Sequence, residues 1–276
     1  MASEKSVDDK MIPMTSVASG KGIAVLSDLY QFTIQIVNIH CIGDQENFVL
    51  IDTGMPQKAK ALINAIEDKF GKGYKPRAII LTHGHFDHVG SIVTLLEKWD
   101  VPVYAHQLEA PYLTGEKAYP PPDAFVEGGL LAKISPVYPN EPIDISDHLH
   151  LIKEGEIIPE LADFNIIHTP GHSPGHISLF REGDRTLIAG DAFTFVKQDA
   201  LIDVLLQKQS INGPPNYLTT DWQAAKTSVE KLVALQPNTA VSGHGAPMQG
   251  NELRQNLQKL KDHFDDIAKS DYGQFV

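Results

Sequence analysis

The chain has 276 residues, 42% hydrophobic and 21% charged, a balance that suits a soluble globular protein with a sizeable core. Its 35 acidic and 23 basic residues give a net charge of −12 with no Lys/Arg cluster, which disfavours nucleic acid or an anionic membrane surface as partner. A single cysteine, Cys41, excludes an intrachain disulfide, and neither a secretory leader nor an 18-residue apolar run is visible, so a cytoplasmic location is expected.

Residues 1–20 read as a mobile or loosely docked lead-in, and 21–276 as one domain. GIAVLSDLYQFTIQIVNIHCIG and ENFVLIDTG are short Val/Ile/Phe-rich runs broken by turn residues, as in successive antiparallel strands. In PQKAKALINAIEDKF, Leu62, Ile66 and Phe70 recur every four residues and predict a helix with one apolar face. RAIILT is a continuous apolar run, the pattern of a strand buried on both faces. SIVTLLEKW then reads as a helix and VPVYAH as a strand, followed by a Pro-rich connection from about 107 to 146.

HLHLI, FNIIHTPG, HISLF and RTLIAGD are expected strands. Thr220 and Gln223 fit a capping box ahead of DWQAAKTSVEKLVAL, and NTAVSGHG is a further strand. Leu253, Leu257, Leu260, Phe264 and Ile267 mark one closing amphipathic helix. Strands followed by helices in each half, without a short repeat, predict two sheet-plus-helix halves stacked as an α/β sandwich.

LTHGHFDHVG places His83, His85, Asp87 and His88 within six residues at the end of the RAIILT strand. Imidazole and carboxylate are the ligands that zinc-like cations take. His83 and His85, at i and i+2, face one way in extended backbone, while Asp87 and His88 approach from another side once the chain turns. Two ligand directions suit two cations better than one. A solvated histidine-rich turn is the plainer alternative, and it explains pairs such as His148 and His150 better than it explains this string. Further ligands are sought in matching contexts: His172 in HTPGHSPGH, Asp191 in IAGD and His244 in SGHG, each at a strand exit beside Gly or Pro. His168 and His176 flank the His172 turn and are expected to support the ligands by hydrogen bonding.

IDTG (51–54), THGHFDH (82–88), TPGHSPGH (169–176), AGDAF (189–193) and SGHGAP (242–247), in this order, resemble the metallo-β-lactamase-fold metallohydrolases, in the branch of glyoxalase II and the lactonases. The resemblance covers most of the chain and implies an αββα four-layer sandwich with two divalent metal ions. One ion would be held by His83, His85 and His172, and a second by Asp87, His88 and His244. Asp191 would bridge them, and Asp52 would steady the ligands from behind. Zinc is the default, with iron, manganese or nickel also suited to such a set.

The implied reaction is attack of a metal-activated water on a small-molecule ester, lactone or thioester, with Asp87 orienting the nucleophile. No Ser-His-Asp elbow or phosphate-cradling glycine loop offers a different nucleophile. Tyr112, Tyr119, Phe125, Phe195 and Tyr217, on segments expected to adjoin the ligands, are candidates to line the substrate pocket. Lactonases of this type carry a tyrosine shortly after the bridging aspartate, where this chain reads Ala192, Phe193, Thr194 and Phe195. Glyoxalase II adds a basic C-terminal helical region, whereas only about thirty residues follow His244 here. The alternatives are a persulfide dioxygenase-like oxidoreductase with one iron, or a metal-dependent phosphodiesterase or nuclease. The sequence carries no signal for an oligomeric state.

Overall fold

The computed structural model describes residues 15–126, 135, 139–198 and 200–276. The first fourteen residues of the expected lead-in, and parts of the Pro-rich connection, fall outside them. The end of the lead-in is docked: Ser16 Oγ donates to Gln35 O at 2.6 Å, and Val17 N–H to Leu205 O at 2.9 Å.

The first sheet has seven strands in sequence order: β1 (Lys21–Ala24), β2 (Leu29–Ile34), β3 (Val37–Gly43), β4 (Phe48–Ile51), β5 (Ile79–Ile80), β6 (Val103–His106) and β7 (Leu149–Ile152). β1 to β4 pair antiparallel, as short turns between them allow. β4 to β7 pair parallel, with helices α1 (Ala59–Phe70), α2 (Phe86–Val89), α3 (Ile92–Trp99) and α4 (Ala110–Leu113) in the connections.

The second sheet is built from β8 (Phe164–His168), β9 (Ile177–Arg181), β10 (Thr186–Ile188), β13 (Thr239–Val241) and β14 (Met248–Gln249), in the order β14-β13-β10-β9-β8. Between β10 and β13 lie the ribbon of β11 (Thr194–Val196) and β12 (Gln209–Asn212), and helices α5 (Leu201–Leu206) and α6 (Trp222–Ala234). The chain closes with α7 (Gly250–Asp262) and α8 (Phe264–Ala268).

The period-2 alternation of strands explains how these parts stack. Along β4, Phe48 and Leu50 join a core under α1 and α3, while Val49 and Ile51 turn inward. Along β10, Leu187 faces α6 and α7, and Ile188 turns inward. The inward residues of both sheets, Ile51, Ile80, Leu179, Ile188 and Val241 among them, share one core. The layers therefore run helix, sheet, sheet, helix: an αββα sandwich. Leu62, Ile66 and Phe70 form the buried face of α1, as their spacing predicts. Burying such a side chain contributes about 1.5–3 kcal/mol each, enough to hold a helix whose N-cap makes no side-chain hydrogen bond.

Two local expectations are corrected. Asp221, not Thr220, caps α6: its Oδ1 accepts from Ala224 N–H at 2.9 Å, because Thr220 and Asp221 both direct their backbone N–H groups to Gly171 O. The closing helix is broken between α7 and α8 at His263, where φ −127° and ψ 35° leave the helical region. Leu253, Leu257, Leu260 and Phe264 stay in the core across the break, so the apolar stripe survives the change of direction.

Candidate metal centre

The candidate ligands sit just past a strand, inside a turn or in the short helix that follows β5, where chain leaving the ladder exposes side chains without giving up strand pairs. His83 and His85 follow β5, Asp87 and His88 lie in the short helix α2, and His172 lies in the turn between β8 and β9. Asp191 follows β10 and His244 follows β13, two strands that are parallel neighbours, so their exits point the same way. Gly243 makes room for the convergence: a Cβ there would stand 2.1 Å from Asp191 Oδ1 and 2.7 Å from His88 Cε1.

These side chains meet. His83, His85 and His172 bring one ligand atom each within 4.8 Å of one another, and Asp87, His88 and His244 do the same. Asp191 stands between the groups: its Oδ2 is 3.7 Å from His172 Nε2, 3.5 Å from His88 Nε2 and 3.2 Å from His244 Nε2. Asp87 Oδ2 is 3.5 Å from His244 Nε2, and His85 Nδ1 is 2.9 Å from His172 Nε2.

Groups behind the rings fix which nitrogen faces inward. His88 Nδ1 pairs with Asp52 Oδ2 at 2.8 Å, His244 Nδ1 with Ile36 O at 3.0 Å, and His83 Nδ1 with Thr82 Oγ1 at 3.0 Å. His172 Nδ1 is 3.2 Å from Thr219 Oγ1. In each of the four rings Nε2 is thereby the nitrogen presented to the centre. Asp52 takes φ +62°, a left-handed conformation that short polar side chains tolerate, and also accepts Thr82 N–H and Thr82 Oγ1–H at 2.8 Å each.

His176 does not face the centre. Its Nε2 accepts Asp191 N–H at 2.8 Å and its Nδ1 pairs with Thr169 Oγ1 at 2.8 Å, so it ties the backbone of Asp191 to the β8–β9 turn. His168 lies further out, its Nε2 2.9 Å from Pro174 O and its ring stacked on His106.

Burial pushes His83, His85 and His172 toward the neutral form, His85 down to about 4, and neighbouring histidines reinforce it for His83 and His172. Burial opposes charge on His88 and His244 too, but Asp191 and Asp87 outweigh it, joined at His88 by Asp52, and His244 is pushed up to about 10. The rim thus combines neutral imidazoles on one side with carboxylates that hold His88 and His244 toward the charged form on the other.

The donor set fits cations. Five buried atoms here, His83 Nε2, Asp87 Oδ1, His88 Nε2, Asp191 Oδ1 and His244 Nε2, make no hydrogen bond. Buried polar atoms without a hydrogen bond cost about 1–3 kcal/mol each, and five of them gathered at one rim are what bound cations would satisfy.

The family profile of the metallo-beta-lactamase superfamily matches residues 33–244, which span all of these side chains. The chain belongs to that superfamily. The curated relative YflN of Bacillus subtilis (strain 168), named a probable metallo-hydrolase, is 46% identical over 264 residues, 95% of this chain and 100% of that protein. Hydroxyacylglutathione hydrolase GloC of Haemophilus influenzae is 28% identical, covering 77% of this chain and 87% of its own. Among solved structures, TTHA1623 in a di-iron-bound form matches with a TM-score of 0.51 and 29% identity, over 80% of this chain and 93% of that one. The αββα sandwich is accordingly the metallo-β-lactamase fold, and the chain is an enzyme of this metal-dependent hydrolytic superfamily.

Beside the centre of this metallo-β-lactamase-fold chain is a narrow cavity that reaches His85 and His172. Its walls include Tyr112, Tyr119, Pro120, Tyr217, Leu218 and Phe275. The expected Phe195 is not among them: it is fully buried in the core under α6 and α7, edge-on to Phe193, because β11 turns it away from the rim. Phe125 stands 80% exposed and lines none of the described cavities. Phe275 was not foreseen, since nothing near the C-terminal end of the sequence hints at its return to the rim. Thr219 and the Ile36 carbonyl likewise have no signal in the sequence, because a lone hydroxyl and a backbone oxygen leave no pattern in it.

Proposed function

We propose that this chain is a dinuclear metal-dependent hydrolase of a small ester, lactone or thioester, with zinc as the default metal and iron as its rival. The observation that carries the proposal is Asp191 standing between two histidine-bearing triads, with inward atoms that lack other partners. His83, His85 and His172 would hold one cation, Asp87, His88 and His244 the other, and Asp191 would contact both. When bound, such cations lower the pKa of water toward about 7 and polarise a substrate carbonyl.

The chain's own groups supply the rest. Asp52, Thr82, Thr219 and the Ile36 carbonyl hold four imidazoles in fixed orientation, so little reorganisation is needed when charge develops. Asp87 Oδ1, buried and without a hydrogen bond, can accept a proton from attacking water and orient it. The apolar walls around His85 and His172 exclude bulk water and suit a neutral acyl group. The likeness to GloC supports a thioester, and the di-iron relative supports two metals and keeps iron in play.

Elemental analysis of purified protein, followed by assays on lactones, thioesters and phosphodiesters, tests the proposal. Two metals per chain with turnover of a carbonyl substrate is the expected result. One iron with oxygen uptake, or turnover of phosphodiesters alone, would overturn it.

A further inference from the structure

Glu109 is fully buried just after β6 and touches neither triad directly, yet its carboxylate is tied to both turns that supply the first. Oε2 accepts Gly84 N–H at 2.9 Å and the Tyr119 hydroxyl, whose oxygen shares Gly84 N–H at 3.0 Å. Oε1 accepts Gly175 N–H at 2.7 Å and Ser173 Oγ–H at 2.9 Å. Gly84 lies between His83 and His85, and Ser173 follows His172, so one planar group spans segments that are far apart along the chain. Among the described residues no lysine, arginine or histidine forms an ion pair with it. Four neutral donors alone compensate a buried carboxylate, an arrangement that is costly unless it does something a neutral side chain cannot.

Two neighbours are shaped around it. Gly175 leaves the space: a Cβ there would lie 2.7 Å from Glu109 Cγ and 2.8 Å from its backbone nitrogen. Tyr119, whose hydroxyl is held by Glu109, lays its ring 4.4 Å from that of His85, centroid to centroid. Glu109 therefore orients His85 by two routes, through the Gly84 backbone and through the Tyr119 ring.

We propose that Glu109 is a positioning residue that sets the spacing between the His83/His85 turn and the His172 turn, and so the affinity of the cation site they form. The proposal rests on the metal-binding reading above. Both oxygens act only as acceptors, so Glu109→Gln turns one acceptor into a donor facing either Gly84 N–H or Gly175 N–H, and weakens the hold on one of the two turns at nearly constant volume.

The test uses the full chain, stripped with chelator and titrated with Zn²⁺ alone, with calorimetric affinities and the melting temperature of the metal-free protein. Wild type is expected to bind two equivalents. Glu109→Gln is expected to bind one equivalent about 10–100-fold more weakly and the other nearly as wild type, the scale on which residues behind metal ligands act. The weakened equivalent should be the one that His172→Ala removes. Ser173→Ala deletes a single donor while Gly175 N–H still serves the same oxygen, and should weaken the same equivalent by a smaller factor with only a small fall in the metal-free melting temperature. If Glu109→Gln does not fold, Ser173→Ala decides alone. Wild-type affinities in Ser173→Ala, or equal weakening of both equivalents in Glu109→Gln, would overturn the positioning role. A wild-type chain that binds no Zn²⁺ would instead sink the functional reading beneath it.

Discussion

Asp52 Oδ2 and His88 Nδ1 are 2.8 Å apart in a buried contact, and the same carboxylate takes both the N–H and the hydroxyl of Thr82. Asp52 thus joins the exit of β4 to the exit of β5 and sets the orientation of a ring whose Nε2 faces the centre. Asp52→Asn puts an amide where three donors converge, and at least one of them loses its acceptor. Metal affinity or kcat is expected to fall about 10–100-fold with the fold retained. Metal content and turnover measured together check this, and wild-type values in both would show that the His88 ring is held by other means.

His85→Ala removes a proposed ligand atom, Nδ1, that lies 2.9 Å from His172 Nε2. Turnover should vanish and metal content should drop, with the far-ultraviolet circular dichroism unchanged. His150→Ala, on the exposed part of β7, should alter none of the three. Equal losses from both substitutions would mean that the ligands are wrongly assigned.

Phe195 and Phe275 should separate core from pocket. Phe195→Ala empties a fully buried site and should cost about 3–5 kcal/mol in denaturant unfolding, with KM unchanged in the folded fraction. Phe275→Ala removes a partly exposed wall of the cavity and should raise KM while shifting stability by no more than about 0.5 kcal/mol. A reversed pattern would place the substrate on the β11 side of the rim.

Cys41, on β3, is wholly inaccessible, and burial pushes its thiol far up from the usual range. The thiolate needed for alkylation or disulfide exchange is therefore scarce and shielded. Labelling of the native protein at neutral pH should run more than about 10³-fold slower than in denaturant, as an opening free energy of about 5 kcal/mol requires. Timed labelling followed by intact-mass measurement reads this directly. Fast labelling of native protein would reveal that the first sheet opens locally.

The convergence of the candidate ligands was legible because each carries local marks: His83 to His88 crowd one turn, and His172, Asp191 and His244 each leave a short apolar run beside Gly or Pro. Those marks are backbone requirements, since a chain leaving a strand sharply at a crowded point needs small or turn-forming residues there. The apolar face of α1 was legible for the same local reason, a period that matches the helix.

Phe195 shows the limit. Its place in sequence, four residues after Asp191, suggests the pocket, but a strand sends neighbours to opposite faces and only the pairing of β11 with β12 settles which face is the rim.

From the order of residues alone follow two stacked sheet-plus-helix halves, the candidate ligand types and the strand ends that bear them, because periodicity and turn chemistry act over a few neighbours; the αββα order of the layers was implied by the family resemblance. Glu109 gripping two distant turns, the Ile36 carbonyl behind His244 and Phe275 returning from the far end of the chain were decided only by the folded structure. A buried hydrogen bond or a cavity wall needs nothing but proximity in space, and residues hundreds of positions apart share no local pattern from which that proximity could be read.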